Sequence, residues 1–224
     1  MLYTTHTKRG LGIQIWGSYR DLSTLYAIIS EFWSVPEFEQ MPGFENRNEL
    51  ISSFSYEVRK GMEGSRLSYQ DPRLPENGSQ LYGFEVSWVH IAFSLAALKE
   101  NWKLVPPDKL DLAVFYSLEY WVESALEAYD IRTADKIKPY LNGAIYGANP
   151  CLYQFMRRIN LDFFLLGGGK QAFRKLPNLL RTATYATVEY NEFNKHLGEE
   201  AKRLDCKPNE IDFDEKNEIY DIAW

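Results

Sequence analysis

The run Ser87-Trp-Val-His-Ile-Ala-Phe-Ser-Leu-Ala-Ala-Leu-Lys-Glu-Asn-Trp102 constrains this chain more than any other segment. Apolar residues occupy nearly every side of its helical wheel, so no broad face is left for solvent. Such a helix must be enclosed, and the sequence on either side of it is read first as cover. Its one irregularity is polar: Ser87, His90, Ser94 and Asn101 follow one another along a single side. A stripe of that kind faces water or lines a wet pocket, which makes Ser87, His90 and Ser94 a candidate pocket. A histidine with two serines lacks the acid that orients a hydrolytic triad. Glu85, on the preceding strand, is close in sequence; a hydrogen-bonded structural histidine is the simpler expectation.

Upstream, Leu2 to Thr7 and Leu11 to Trp16 predict two strands joined by Thr7-Lys8-Arg9-Gly10, a glycine-containing hairpin turn. Asp21 is expected to cap a helix from Leu22 to Trp33, where Leu22, Leu25, Tyr26, Ile29 and Trp33 form an apolar stripe. A second helix is predicted from Glu45 to Met62 with Leu50, Ile51, Phe54 and Val58 on one face, stopped by Gly61 and Gly64. Arg66 to Gln70 and Leu81 to Val86 read as a further strand pair around a turn-rich segment at 71–78.

Downstream almost everything is helical. Pro107 to Tyr129 starts with Pro at the first position and Asp108 in the first turn. Asn149-Pro150 opens a helix to Leu166 that Gly167-Gly168-Gly169 ends. The last long helix, Asn178 to Leu204, is expected to pack on the helix from Pro107 to Tyr129 through Leu179, Ala183, Ala186, Tyr190, Phe193 and Leu197. The fold class is therefore α+β and mostly helical: a small antiparallel sheet packed against a helical layer. The organisation expected is one domain over 1–224, with a sheet-containing lobe at 1–87, a helical lobe at 88–204 and an acidic tail at 205–224.

At 224 residues the chain can bury well over half of its unfolded surface, so it needs neither disulfides nor a metal to fold. Cys151 and Cys206 are the two cysteines, without a CxxC, which argues for plain thiols. Residues 1–9 are polar with no apolar run after them, and nowhere do about 18 apolar residues follow one another, so no signal peptide, no membrane and a cytoplasmic location are expected. Charge is segregated. Residues 205–224 hold seven acids against two bases, while residues 157–181 hold Arg157, Arg158, Lys170, Arg174, Lys175 and Arg181 against Asp162. Nucleic acid is an unlikely partner for a chain of pI ≈ 5.2 whose own tail competes for the basic block. The tail carries Ile211, Phe213, Ile219, Tyr220, Ile222 and Trp224, more apolar residues than disordered acidic tails hold, and is expected to fold back on the body with Ile211 and Phe213 inward as an added edge strand.

Two constellations could carry chemistry. Glycine-rich Gly167-Gly168-Gly169-Lys170 before a helix resembles an anion-binding turn, with Lys170, Arg174 and Lys175 as the candidate residues. Phe164 and Gln171 stand where a nucleotide-binding loop needs Gly and Ser or Thr, so hydrolysis is not expected. On the last helix, Glu189, Glu192 and His196 share one side and are the candidate metal ligands, with Glu119, Glu123 and Glu127 on the helix from Pro107 offering a second carboxylate row. The Glu-x-x-His pair that di-metal bundles repeat on two helices is missing. No zinc-protease, nucleophile-elbow, dinucleotide or calcium-loop motif occurs, and the sequence asks for no cofactor.

The segments Gly12-Ile-Gln-Ile-Trp-Gly-Ser-Tyr-Arg-Asp-Leu22, Tyr56-Glu-Val-Arg-Lys60 and Tyr82-Gly-Phe84 resemble an uncharacterised bacterial family of similar length, known as a domain of unknown function. The resemblance lies mainly in residues 1–100; it implies a bacterial cytosolic protein and carries over no active site. Two function classes remain. The first is a binding, regulatory or interaction protein, because small acidic proteins that neutralise a toxin or regulate a partner share this charge segregation and aromatic content. The alternative is a metal-dependent enzyme or metal-binding protein using Glu189, Glu192 and His196.

Overall fold

The computed structural model describes residues 2–33, 35–70 and 80–213. Strands β1 (Tyr3–His6), β2 (Gly12–Gly17), β3 (Leu67–Tyr69) and β4 (Leu81–Ser87) form one antiparallel sheet in the order β1-β2-β4-β3. Period-two alternation decides its faces. Ile13 pairs with Val86 and Ile15 with Phe84, and all four are buried. One step out of phase, Gln14 hydrogen-bonds Glu85 across the strands at 2.9 Å on the opposite face.

Helix α1 (Tyr19–Ser30) begins one turn earlier than expected. Ser18 is its cap, with Asp21 as the reciprocal partner: the Ser18 hydroxyl accepts from the Asp21 N–H at 3.2 Å, and the Asp21 carboxylate accepts from the Ser18 N–H at 3.0 Å. Helix α2 (Phe44–Met62) lies under the sheet, where Gly61 lets it approach Phe84 and Gly83 and Phe54 meets Phe84 at 6.0 Å.

Helix α3 (Trp88–Asn101) is the enclosed element the sequence demands: all of its residues but His90, Lys99 and Glu100 are buried. The tip of the β1–β2 hairpin is driven into the helical side of the molecule. Thr7 closes the turn by accepting from the Leu11 and Gly12 N–H groups, each at 3.1 Å. The Gly10 carbonyl accepts from the Trp88 indole at 3.1 Å. Gly10 has φ +67, and a Cβ there would sit 2.1 Å from the Tyr129 ring, so no other residue fits.

Helix α4 (Lys109–Pro139) is capped by Asp108, which thus stands before the first turn rather than in it, and breaks at Asp130 (φ −158, ψ 99). The stop expected at Tyr129 marks that break; Asp130 then caps a further stretch by accepting from the Thr133 N–H at 3.1 Å. Helix α5 (Leu152–Leu165) and helix α6 (Gly169–Leu180) follow, then α7 (Val188–Leu204).

The continuous helix expected from Asn178 to Leu204 is therefore two. Between them the chain leaves helical conformation at Thr184, Ala186 takes φ +63, and Thr187 caps α7 while its hydroxyl binds the Thr184 carbonyl at 2.9 Å. Ala186 is exposed in that turn rather than part of a seam. The packing partners also differ from expectation: α6 meets α4 through Phe173 against Tyr129 at 4.9 Å, whereas α7 rests on α5 through Phe155 against Tyr190 and Phe193.

One hydrophobic core runs from Leu2 to Ile211, so both lobes share it. Residues 209–213 fold back on α5: Gln154 donates to the Asn209 and Ile211 carbonyls, Ile211 is buried, and Arg157 pairs with Asp212 and donates to the Phe213 carbonyl at 2.6 Å. Ile211 to Phe213 form no strand, because side chains of α5 rather than a sheet edge satisfy their backbone. The turn at 71–78 lies outside the described residues, and so does the tail beyond Phe213, Ile219 to Trp224 included. No helix among the described residues is long and apolar enough to cross a membrane.

Candidate functional site

On α7 the proposed metal ligands do not converge. Glu192 and His196 are exposed, while Glu189 faces the Arg181 guanidinium at 3.4 Å. Among the described residues no three His, Cys, Asp or Glu side chains are grouped to hold a metal. Two members of the glutamate row on α4 are neutralised, Glu119 by Lys99 and Glu127 by Lys138, and Glu123 accepts a hydrogen bond from the Asn142 amide at 3.1 Å.

The triglycine has a structural use. The N–H of Gly169, at the start of α6, donates to the Arg9 carbonyl at 2.6 Å, and Arg9 donates back to the Gly167 carbonyl. A Cβ on Gly168 would lie 2.9 Å from the same Arg9 carbonyl. The helix end that could hold an anion is thus filled by the hairpin turn. Lys170, Arg174 and Lys175 are exposed, and Arg174 pairs with Asp130 at 3.0 Å.

The α3 stripe is divided among separate contacts. Ser87 caps the helix, accepting from the His90 N–H at 2.9 Å and donating to Asn160 of α5 at 2.6 Å. Asn101 accepts from the buried Arg47 at 2.6 Å and donates to the Phe32 carbonyl at 2.7 Å. Ser94 is fully buried. Burial pushes the His90 imidazole down to about 4, against the weaker upward pull of Glu57 and of the Leu50 backbone, so it is neutral near pH 7. Glu85 faces Gln14 rather than His90.

A groove of ≈ 510 Å³ lies along the outer face of α2, between α1 and α5. Glu49, Ser52, Ser53, Tyr56 and Arg59 recur at helical spacing along its floor, with Tyr26 and Trp33 from the α1 side, Tyr153 from α5, and Ser55 deeper. Ser55 is 2% exposed, and its hydroxyl has no hydrogen-bond partner among the described residues; the Trp33 indole nitrogen is likewise buried and unpartnered. Buried polar atoms are normally paired, so these two are exceptions among the groove's lining residues.

Both charged groups of the groove are fixed by tyrosines. The Arg59 guanidinium lies 5.3 Å from the centre of the Tyr56 ring, and Glu49 takes a hydrogen bond from Tyr153. Glu49 is solvent-accessible, yet partial burial raises its carboxyl above the usual carboxylate range, with Arg157 pulling the other way. The lining offers aromatic faces, hydroxyls, one carboxylate and one guanidinium. Periodicity along α2 discloses its inward face, Leu50, Ile51, Phe54 and Val58. The available signal was the opposite face, where tyrosine, serine and arginine stand in for the lysine and glutamate of an ordinary solvated surface.

No curated protein and no solved structure matches the chain. A family model described as a domain of unknown function, DUF6904, matches residues 2–224, well beyond the part that carries the resemblance noted in the sequence. The chain belongs to the DUF6904 family.

Proposed function

We propose that this chain is a cytoplasmic binding protein that regulates or neutralises a protein partner, and that the partner seats in the groove between α1, α2 and α5. The composition of the lining carries the proposal. Three tyrosines, a tryptophan and an arginine are residues that protein-binding surfaces favour, and three serines stand among them. The aromatics give rigid contact area at small entropic cost, arginine anchors, and serines adapt their hydrogen bonds. Nucleic acid is the weaker partner, since Arg157, Arg158, Arg174 and Arg181 of the basic block are each committed to an internal carboxylate.

Photo-crosslinking in the native host tests the proposal. A crosslinking amino acid at Tyr56 is expected to yield one discrete protein adduct, and one at Tyr116, exposed on α4, is not. Adducts that are absent, or equal at the two positions, would overturn it.

A further inference from the structure

We infer that the partner presents to the groove an extended peptide segment bearing one basic and one acidic side chain about four or five residues apart, an inference that rests on reading the groove as the partner's site. The charges along α2 lead to it. Lys60 is paired with Glu63 at 2.8 Å, Arg66 with Glu57 at 2.8 Å, and Arg157 with Asp212. Arg59 makes no ion pair among the described residues. At the other end, Glu49 feels Arg157, but that guanidinium is already engaged by Asp212, and Glu45 adds further negative charge. The groove is therefore negative at Glu49 and positive at Arg59.

The distance between the two poles follows from helix geometry. Ten residues of α2 separate Glu49 from Arg59, a rise of about 15 Å. An extended chain advances about 3.3 Å per residue, so about four or five residues bridge the poles. Between the poles lie Tyr26, Trp33, Ser52, Ser53 and Tyr56, which suit small polar or aromatic side chains. A purely cationic ligand fits less well, because Tyr56 already has Arg59, Lys60 and Arg66 within 6 Å of its ring and Tyr153 has Arg157. A purely anionic one meets Glu49.

Synthetic peptides test the inference by fluorescence anisotropy on the intact chain. The set places one Lys and one Glu two to seven residues apart, in both orders, in a Ser/Tyr background, with a Gln/Gln control. Affinity is expected to peak at the four- to five-residue separation, at least tenfold above the control. Glu49→Lys or Arg59→Glu should each abolish that preference, and the double variant should restore it for the opposite orientation of the peptide. Equal affinity at every spacing, indifference to both substitutions, or no binding up to about 1 mM would overturn it. So would concentration-dependent self-association that the same substitutions abolish, since the occupant would then be a second copy. If the Tyr56 adduct forms with Glu49→Lys and Arg59→Glu as well as with wild type, the partner site stands and the charge pattern alone falls. If no adduct forms, the partner site falls with it.

Discussion

His90 allows a quantitative test of how α3 is enclosed. Its imidazole, ordinarily titrating near 6.5, is pushed to about 4 by burial, with Glu57 and the Leu50 backbone opposing weakly. A histidine whose folded value lies below its unfolded one is protonated preferentially in the unfolded chain. Its contribution is thus fully present above about pH 6.5 and is lost as pH falls toward 4. From those two values, His90 alone should remove about 2 kcal/mol of stability between about pH 7 and pH 5, and about 3 kcal/mol by pH 4. Carboxylates held low by hydrogen bonds, Asp21 and Asp130 among them, add their own acid-side losses, so the measurement is a difference. Urea midpoints for wild type and His90→Leu across this range should diverge in slope, the variant flatter by that amount whatever its stability at neutral pH. Three histidines make the direct check simple. By proton NMR, His90 should remain neutral down to about pH 5. An imidazole titrating between 6 and 7, or parallel stability curves, would refute the enclosure of the ring nitrogen, which is buried although the residue as a whole is only half-buried.

Further outcomes are expected at four positions. Gly168→Ala should cost about 2 kcal/mol or more in chemical denaturation, because it adds strain at φ +79 to a collision with the Arg9 carbonyl. Ala186→Gly should raise the melting temperature, by up to about 1 kcal/mol of stability, since φ +63 strains any residue with a Cβ; an unchanged or lower value counts against that turn. Phe193→Ala should cost about 2 to 3 kcal/mol, below a fully enclosed ring, and a double-mutant cycle should couple it to Phe155 rather than to α4. Deleting residues 207–224 should lower thermal stability, since Ile211 is buried and Gln154 and Arg157 would lose their partners; an unchanged midpoint would contradict the docked segment.

What the sequence disclosed was what neighbouring residues decide together. The enclosed α3, the strand pairs and the helices at α1, α2 and α5 all follow from local periodicity and punctuation, and the structure bears them out within a turn. Ser18 was passed over as a cap because Asp21 is equally good chemistry; only the reciprocal pair identifies which residue stands outside the helix. The apolar spacing through Leu179, Ala183, Ala186, Tyr190 and Phe193 kept helical phase across a turn that is not helical, and residue spacing carries no information about φ. The triglycine looked like an anion turn because its true occupant, the Arg9 carbonyl, is remote in sequence. Glu119 and Glu127 looked unneutralised because Lys99 and Lys138 lie more than four residues away. The groove is the extreme case: its floor could be read on α2, but Tyr26, Trp33 and Tyr153 join it only when three helices assemble.

The grip on the hairpin tip sets an order of events in folding. Arg9 reaches its Gly167 partner across 158 residues, while Trp88 and Tyr129 clasp the same turn from intermediate positions. During synthesis β1 and β2 emerge early with an apolar underside, yet the triglycine that completes the hold on their turn comes late, after α5 has been made. Closing so long a loop is costly before its contacts repay it, which places this clasp late in folding and makes the molecule slow to commit. Until then β2 pairs with β4 while the hairpin tip is held by Trp88 and Tyr129 alone, and a chain truncated before Gly167 should keep its sheet and central helices while the amides of that tip exchange faster.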